Sequence, residues 1–301
     1  MAYTYTELLD DIKTIGAIPT SQNTYTAARI LSATNRVLRS RILPIMSKCR
    51  ENYYSYDVDT SVNSSGQYNI PSRAMGGKIQ NLALINSTER LDLSWLSEEE
   101  LSDTSESPYG SPGVYVKRNS VYLVPAQDHG YSTFRMSIYL RPCEVVAQSS
   151  AAQITAINTG TNTLTFTSGT IPTSWTTSNT FELVQQNPHF DTLGYDLAIS
   201  SITTTTMVFS ATLNTRLAVG DWVGLTGQSP IIQIPLEAQP LLAQLVSNEL
   251  TRNSTNKAAY KLGVENAKDL EKELMHLLTP RIDKEGKKLV SRNGIFRRIN
   301  G

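Results

Sequence analysis

The sequence predicts an α+β fold. N- and C-terminal helices form one helical bundle, and between them are inserted an antiparallel β-sheet or sandwich and a Thr-rich, small β-barrel-like module. Three observations predict it. Apolar residues recur at helical spacing near both ends, they alternate with period two through the first half of the middle, and two similar Thr-rich β-segments follow each other in series. The expected boundaries are 1–51 and 230–280 for the bundle, 52–147 for the antiparallel β region, 148–229 for the module with its two related hairpins, and 281–301 for a basic, extended C-terminal arm.

Thr4-x-x-Glu7 has capping-box spacing, and Leu8, Leu9, Ile12 and Ile15 then share one helical face. Gly16 and Pro19 end this first helix. A second starts near 24–26, with Ile30, Leu31, Val37, Leu38, Ile42 and Ile45 as its apolar stripe and Arg29, Arg36, Arg39 and Lys48 largely off it. Pro44 should end or kink it, because the ring meets the carbonyl four residues back.

From Tyr53 the period becomes two. Tyr54, Tyr56 and Val58 alternate, and Gly66 to Ile70 reads as a strand after the Asn63-Ser-Ser-Gly66 turn. Another strand follows Gly76-Gly77, through Ile79, Leu82, Leu84 and Ile85. Leu96 to Leu101, with Glu98, Glu99 and Glu100, reads as one or two helical turns. Val114 to Val116 and Val121 to Val124 make a hairpin, and Phe134 to Leu140 alternates up to Pro142. All these strands are expected in one antiparallel sheet or sandwich.

The Thr-rich pair comes next. Ile154 to Ile157 leads through a turn to Leu164-Thr-Phe166 and on to Phe181-Glu-Leu183-Val184. Ile199 to Ile202 leads to Met207-Val-Phe209 and on to Trp222-Val223-Gly-Leu225. Related hairpins in series are the sequence form of a pseudo-symmetric β-module, which has much surface to pack on and little to catalyse with. Helix returns with Leu241, Leu242, Leu245, Val246 and Leu250 on one side, breaks at Asn253-Ser254, and resumes with Leu262, Ala267, Leu270, Leu274, Leu277 and Leu278 until Pro280.

Beyond Pro280 the character changes. Arg281, Lys284, Lys287, Lys288, Arg292, Arg297 and Arg298 oppose only Asp283 and Glu285, and Leu289, Val290, Ile295 and Phe296 are interleaved with them. A purely solvating tail has no use for those apolar residues. An arm with both charges and anchors suits docking along a neighbouring subunit, ordering as it binds. Arg281, Lys284, Lys287, Lys288, Leu289, Arg292, Ile295, Phe296, Arg297 and Arg298 are therefore the candidate partner-binding residues.

Composition narrows the function classes. Charged residues are 18% of the 301, well below the usual quarter, and the net charge is zero, which argues against a general nucleic-acid binder. Cys49 and Cys143 match no disulfide framework or metal pattern. The start of the chain has no basic and apolar signal pattern, and nowhere do about 18 apolar residues run together, so a soluble protein made in the cytosol is expected. His129 reads as a loop residue, His189 beside Asp191 as a polar connector, and His276 as a cation suited to a helix C-terminus. No phosphate-binding glycine loop, nucleophile elbow or zinc pattern occurs; Gly76-Gly77-Lys78 lacks the spacing and reads as a turn. No enzyme activity, cofactor or metal is expected.

Several stretches together resemble the head-to-tail adaptor, or neck, proteins of tailed bacteriophages. They are Ile18-Pro-Thr-Ser-Gln22, Ile70-Pro-Ser-Arg-Ala-Met-Gly-Gly-Lys78, Phe190-Asp-Thr-Leu193, Ser229-Pro-Ile-Ile-Gln-Ile-Pro235, Leu278-Thr-Pro-Arg281 and Lys287-Lys-Leu-Val-Ser-Arg-Asn-Gly294. The resemblance implies a structural virion protein at the head-to-tail junction, assembled in the host cytoplasm. It implies a homo-oligomeric ring, typically a dodecamer, docked under the portal protein and joined to tail or second neck-ring proteins, with a passing contact with packaged DNA and none with membrane. The Thr-rich module departs from short adaptors, which lack such an insertion; contact with tail, fibre or capsid components is its expected use. The alternative is a β-rich carbohydrate-binding or distal tail or baseplate protein, with Trp175, Trp222 and Tyr195 as stacking faces. A third reading is a DNA-channel protein whose arm contacts phosphates.

Overall fold

A computed structural model describes residues 4–18, 24–97, 112–126, 129–186, 189–252 and 257–279. Among these, sixteen strands accompany five α-helices, so the chain is α+β and mostly β.

Helix α1 (Tyr5–Ile15) begins with the capping box: Thr4 accepts from the Glu7 amide and the Glu7 carboxylate accepts from the Thr4 amide. Helix α2 (Ala27–Val37) is capped by Thr26, whose hydroxyl accepts from the Arg29 amide. It does not stop before Pro44. A π-helical turn over Leu38–Ile42 leads directly into α3 (Leu43–Cys49), with Pro44 in its first turn. Proline has no amide to donate to Ser40, and the widened turn takes up the misfit with an i→i+5 bond from Leu43 to Leu38.

Two four-stranded sheets follow. One has the order β1-β8-β3-β4, from β1 (Ser55–Ser61), β8 (Thr133–Leu140), β3 (Ala74–Ile85) and β4 (Arg90–Asp92). The other has the order β2-β7-β6-β5, from β2 (Gln67–Asn69), β7 (Ser120–Val124), β6 (Gly113–Lys117) and β5 (Ser94–Trp95). Their inner faces share one apolar cluster, in which Tyr68 of the second sheet stacks on Phe134 of the first at 4.0 Å between ring centroids. The arrangement is a sandwich but not wholly antiparallel, because β5 runs parallel to β6. The helical turn expected from Leu96 does not begin there: Leu96 and Ser97 follow β5 outside any helix, and 98–101 lie outside the described residues.

The next six strands close into a barrel of order β10-β11-β14-β13-β12-β15. They are β10 (Ala152–Asn158), β11 (Thr163–Phe166), β12 (Thr180–Val184), β13 (Thr192–Ile202), β14 (Thr206–Phe209) and β15 (Trp222–Leu225). The pairing is unchanged if β10, β11 and β12 are exchanged with β13, β14 and β15. Ile154 faces Phe166 as Ile199 faces Phe209, and each pair is followed by a bulge on its first strand. Closure leaves no open edge, and Leu164, Phe166, Phe181, Met207 and Phe209 fill the interior. A short parallel pair, β9 (Glu144–Val145) with β16 (Gln228–Ser229), connects barrel to sandwich.

The two ends of the chain do not form the expected helical bundle. α1, α2 and α5 (Lys257–Leu278) each lie against α4 (Gln239–Thr251), and the apolar cluster there is completed by non-helical Tyr54, Val145, Ile232 and Ile234. The reason lies in α4. Leu241, Leu242, Ala243, Gln244, Val246, Ser247 and Leu250 are all buried, so this helix is covered almost all round rather than along one stripe. Helices alone do not cover it, and strand and loop residues take the remaining sides. The break expected at Asn253-Ser254 falls outside the described residues.

Candidate functional site

The sandwich, the barrel and the helical layer meet at one buried polar junction. Arg73, in the connection between β2 and β3, forms an ion pair with Glu182 of β12 and also donates to the Arg141 carbonyl. Glu182 is wholly buried, and its side chain points away from the barrel interior into the junction. Its second set of partners is the Gly227 amide, which donates at 2.7 Å, and the Thr192 hydroxyl, at 3.3 Å. A buried carboxylate needs this full complement, since desolvation removes several kcal/mol of hydration from such an ion.

Gln233 extends the network into the helical layer. Its Nε2 donates to Thr192 Oγ1 and to the Phe190 carbonyl, both at 3.0 Å, and its Oε1 accepts from the Cys143 amide at 2.7 Å. Its own carbonyl accepts from the Tyr54 hydroxyl at 3.2 Å. Phe190 sits here with φ 57°, a left-handed conformation that costs a bulky residue about 1–2 kcal/mol. Burial of its ring with Cys143, Val184, Trp222 and Ile231 offsets that cost. Burial pushes the Cys143 thiol well above its ordinary range, with the neighbouring Glu182 charge acting in the same direction.

A cleft of about 540 Å³ opens beside the junction, among Tyr53, Tyr56, Asp57, His189, Asp191 and Arg216. The Asp191 carboxylate accepts from Arg216 at 2.6 Å, and the Tyr53 hydroxyl reaches the His189 carbonyl at 3.5 Å. Burial, then the Asp191 charge, raises the Tyr53 phenol, and burial with the Glu182 charge pushes Tyr56 up to about 12. Both phenols hold their protons, and Tyr53 is the one that donates, to the His189 carbonyl. Among the described residues no group of three or more His, Cys, Asp or Glu is placed to hold a metal ion, and no helix is long and apolar enough to cross a membrane.

The ten candidate residues of the basic arm, Arg281 to Arg298, all lie outside the described residues, as do 19–22 of the first resemblance stretch. Three other stretches of that set converge: Arg73 comes from Ile70–Lys78, Phe190 and Thr192 from Phe190–Leu193, and Gln233 from Ser229–Pro235. The aromatic faces considered for sugar stacking are not open. Trp175 and Trp222 are buried, and Tyr195 lies beneath the Arg73 guanidinium, 5.7 Å from its ring centroid. Sequence reasoning did not single out Glu182. The one available signal was a lone carboxylate in an otherwise uncharged run from Val145 to Gln186. No protein-family model matches the chain, and no curated protein matches it.

Proposed function

We propose that the protein is a structural virion component, a head-to-tail adaptor subunit that assembles as a ring under a portal protein and joins capsid to tail. The observation that carries this reading is the convergence of the resemblance stretches: Arg73, Phe190, Thr192 and Gln233, drawn from three of them, belong to one hydrogen-bonded junction. A joint between two large assemblies requires a subunit whose parts hold a set orientation. A satisfied buried network linking three modules supplies that, because its bonds are lost together if one module turns. The closed barrel, with no free strand edges, suits a surface that meets tail or capsid components without pairing indiscriminately. The basic arm is the further docking element in this reading, and its charges allow a passing contact with packaged DNA.

The test is to mix the purified chain with portal rings and weigh the product by native mass spectrometry. A portal complex carrying a dodecamer of 33.2 kDa chains is the expected result. Portal rings that stay bare at micromolar concentrations of both components would exclude the role.

A further inference from the structure

We propose that the outer edge of β1 accepts an extended segment of a partner protein as an added strand, one that carries lysine or arginine at alternate positions.

The register fixes which main-chain groups of β1 are free. β1 pairs with β8 from Ser55 opposite Tyr139 to Ser61 opposite Thr133, and just beyond the strand the Val62 amide donates to the Ser132 carbonyl at 2.9 Å. In an antiparallel pair, residues that exchange both bonds alternate with residues that exchange none. Tyr56, Val58 and Thr60 therefore bond to β8, while Asp57, Asp59 and Ser61 direct their N–H and C=O groups off the sheet. Among the described residues those outward groups have no main-chain partner. Of the strands that end a sheet, β1 is the long one, with seven residues against three in β2 and β4 and two in β5. Ser55, Asp57, Asp59, Thr60 and Ser61 are all exposed. Beside the first half of this edge lies open space, because Ser55, Tyr56 and Asp57 line the cleft of about 540 Å³. A row of unpaired donors and acceptors next to such a cleft is the setting for strand addition, in which main-chain bonds supply affinity and alternate side chains supply choice.

The side chains say which strand fits. Asp57 and Asp59 share a single guanidinium, Arg135 of β8, at 3.6 Å and 2.7 Å, so two carboxylates and one cation leave the edge with one negative charge in surplus. Pairing with the same edge of a second copy, antiparallel and centred on Val58, would set Asp57 opposite Asp59 twice over. Like charges directly opposite each other destabilise a strand pair, whereas a lysine or arginine opposite either carboxylate stabilises it. The edge is thereby biased against its own copy and towards a basic strand.

The test is fluorescence anisotropy with a labelled, blocked heptapeptide alternating lysine and valine, titrated with the full chain and with two variants, each checked for an unchanged melting temperature. Asp59→Pro removes an outward amide and the carboxylate while leaving every main-chain bond to β8 in place; Asp59→Asn removes the charge alone. The native chain should bind with a Kd below about 1 mM, Asp59→Asn about threefold more weakly and Asp59→Pro at least about tenfold more weakly. The peptide with proline at its centre, which keeps most of the charge but cannot pair, should also lose about tenfold. If Asp59→Pro melts lower, Ser61→Pro, which removes the next outward amide and no ion pair, takes its place. Absence of binding at about 1 mM, or equal binding by the native chain and the proline variant, would overturn the proposal. Equal binding of a peptide with glutamate in place of lysine would overturn the basic partner. So would a native chain that self-associates in sedimentation and loses this in the proline variant, since the occupant would then be a second copy. No portal ring is involved, so the outcome is read separately from the adaptor assignment.

Discussion

Arg73 and Glu182, 109 residues apart, form an ion pair at the meeting point of sandwich and barrel, with the carboxylate wholly buried and the guanidinium nearly so. Removing one partner leaves the other charged and out of water. Arg73→Ala should therefore cost about 3–5 kcal/mol in urea unfolding, whereas replacing both residues by apolar ones of similar volume should cost much less. A single substitution that leaves the urea midpoint unchanged would show that the junction is hydrated and the network dispensable.

Stability should fall on the alkaline side. Burial raises the Cys143 thiol above its ordinary 9.0, and burial raises Tyr54 and Tyr56 above 10.0, Tyr56 to about 12. The folded chain therefore holds protons that the unfolded chain releases first. Below pH 9 both states are protonated and the contribution is complete; as pH rises from 9 towards 12 it is progressively lost. Denaturant midpoints should drop through this window, and Cys143→Ala should flatten its first part, between 9 and 10. A midpoint independent of pH over that range would refute the assignment.

Gly224, opposite Glu182 in the β12–β15 ladder, has no room for a side chain: a Cβ there would lie 2.2 Å from the Gln228 carbonyl oxygen. The obstacle is backbone and cannot rotate aside. Gly224→Ala should destabilise by about 1–3 kcal/mol or unseat β16, and thermal melting reads the loss. An unchanged melting temperature would mean that the β15–β16 turn can relax freely.

Deleting residues 281–301 removes ten candidate docking side chains and leaves every described residue of the apolar clusters in place. The shortened chain should melt within about 0.5 kcal/mol of the full one, as surface changes do, yet lose stable attachment to portal rings. Truncated protein that joins portals with unchanged affinity would remove the arm from the adaptor mechanism.

Local order was legible wherever neighbours in sequence decide it. The Thr4–Glu7 capping box, the β6–β7 hairpin and the alternating strand β8 each follow from side chains a few residues apart. Pro44 was legible as a disturbance but not as a π turn, because the outcome depended on Leu38 and Ile42 being buried, which favours keeping the helix continuous. The candidate site was not legible in the same way. Arg73, Cys143, Glu182 and Gln233 look like ordinary polar residues until four distant stretches are brought together.

The sequence by itself determined which stretches become helix or strand, where several of them begin, and that charge is segregated along a neutral chain, since periodicity, capping and composition are short-range properties. Only the tertiary structure decided that α4 is enclosed by strands and loops as well as helices, in what order the six strands of the expected barrel-like module pair as they close, and that a lone glutamate is buried against one arginine. Those outcomes depend on which distant surfaces exclude water from each other, and that pairing is a property of the whole chain.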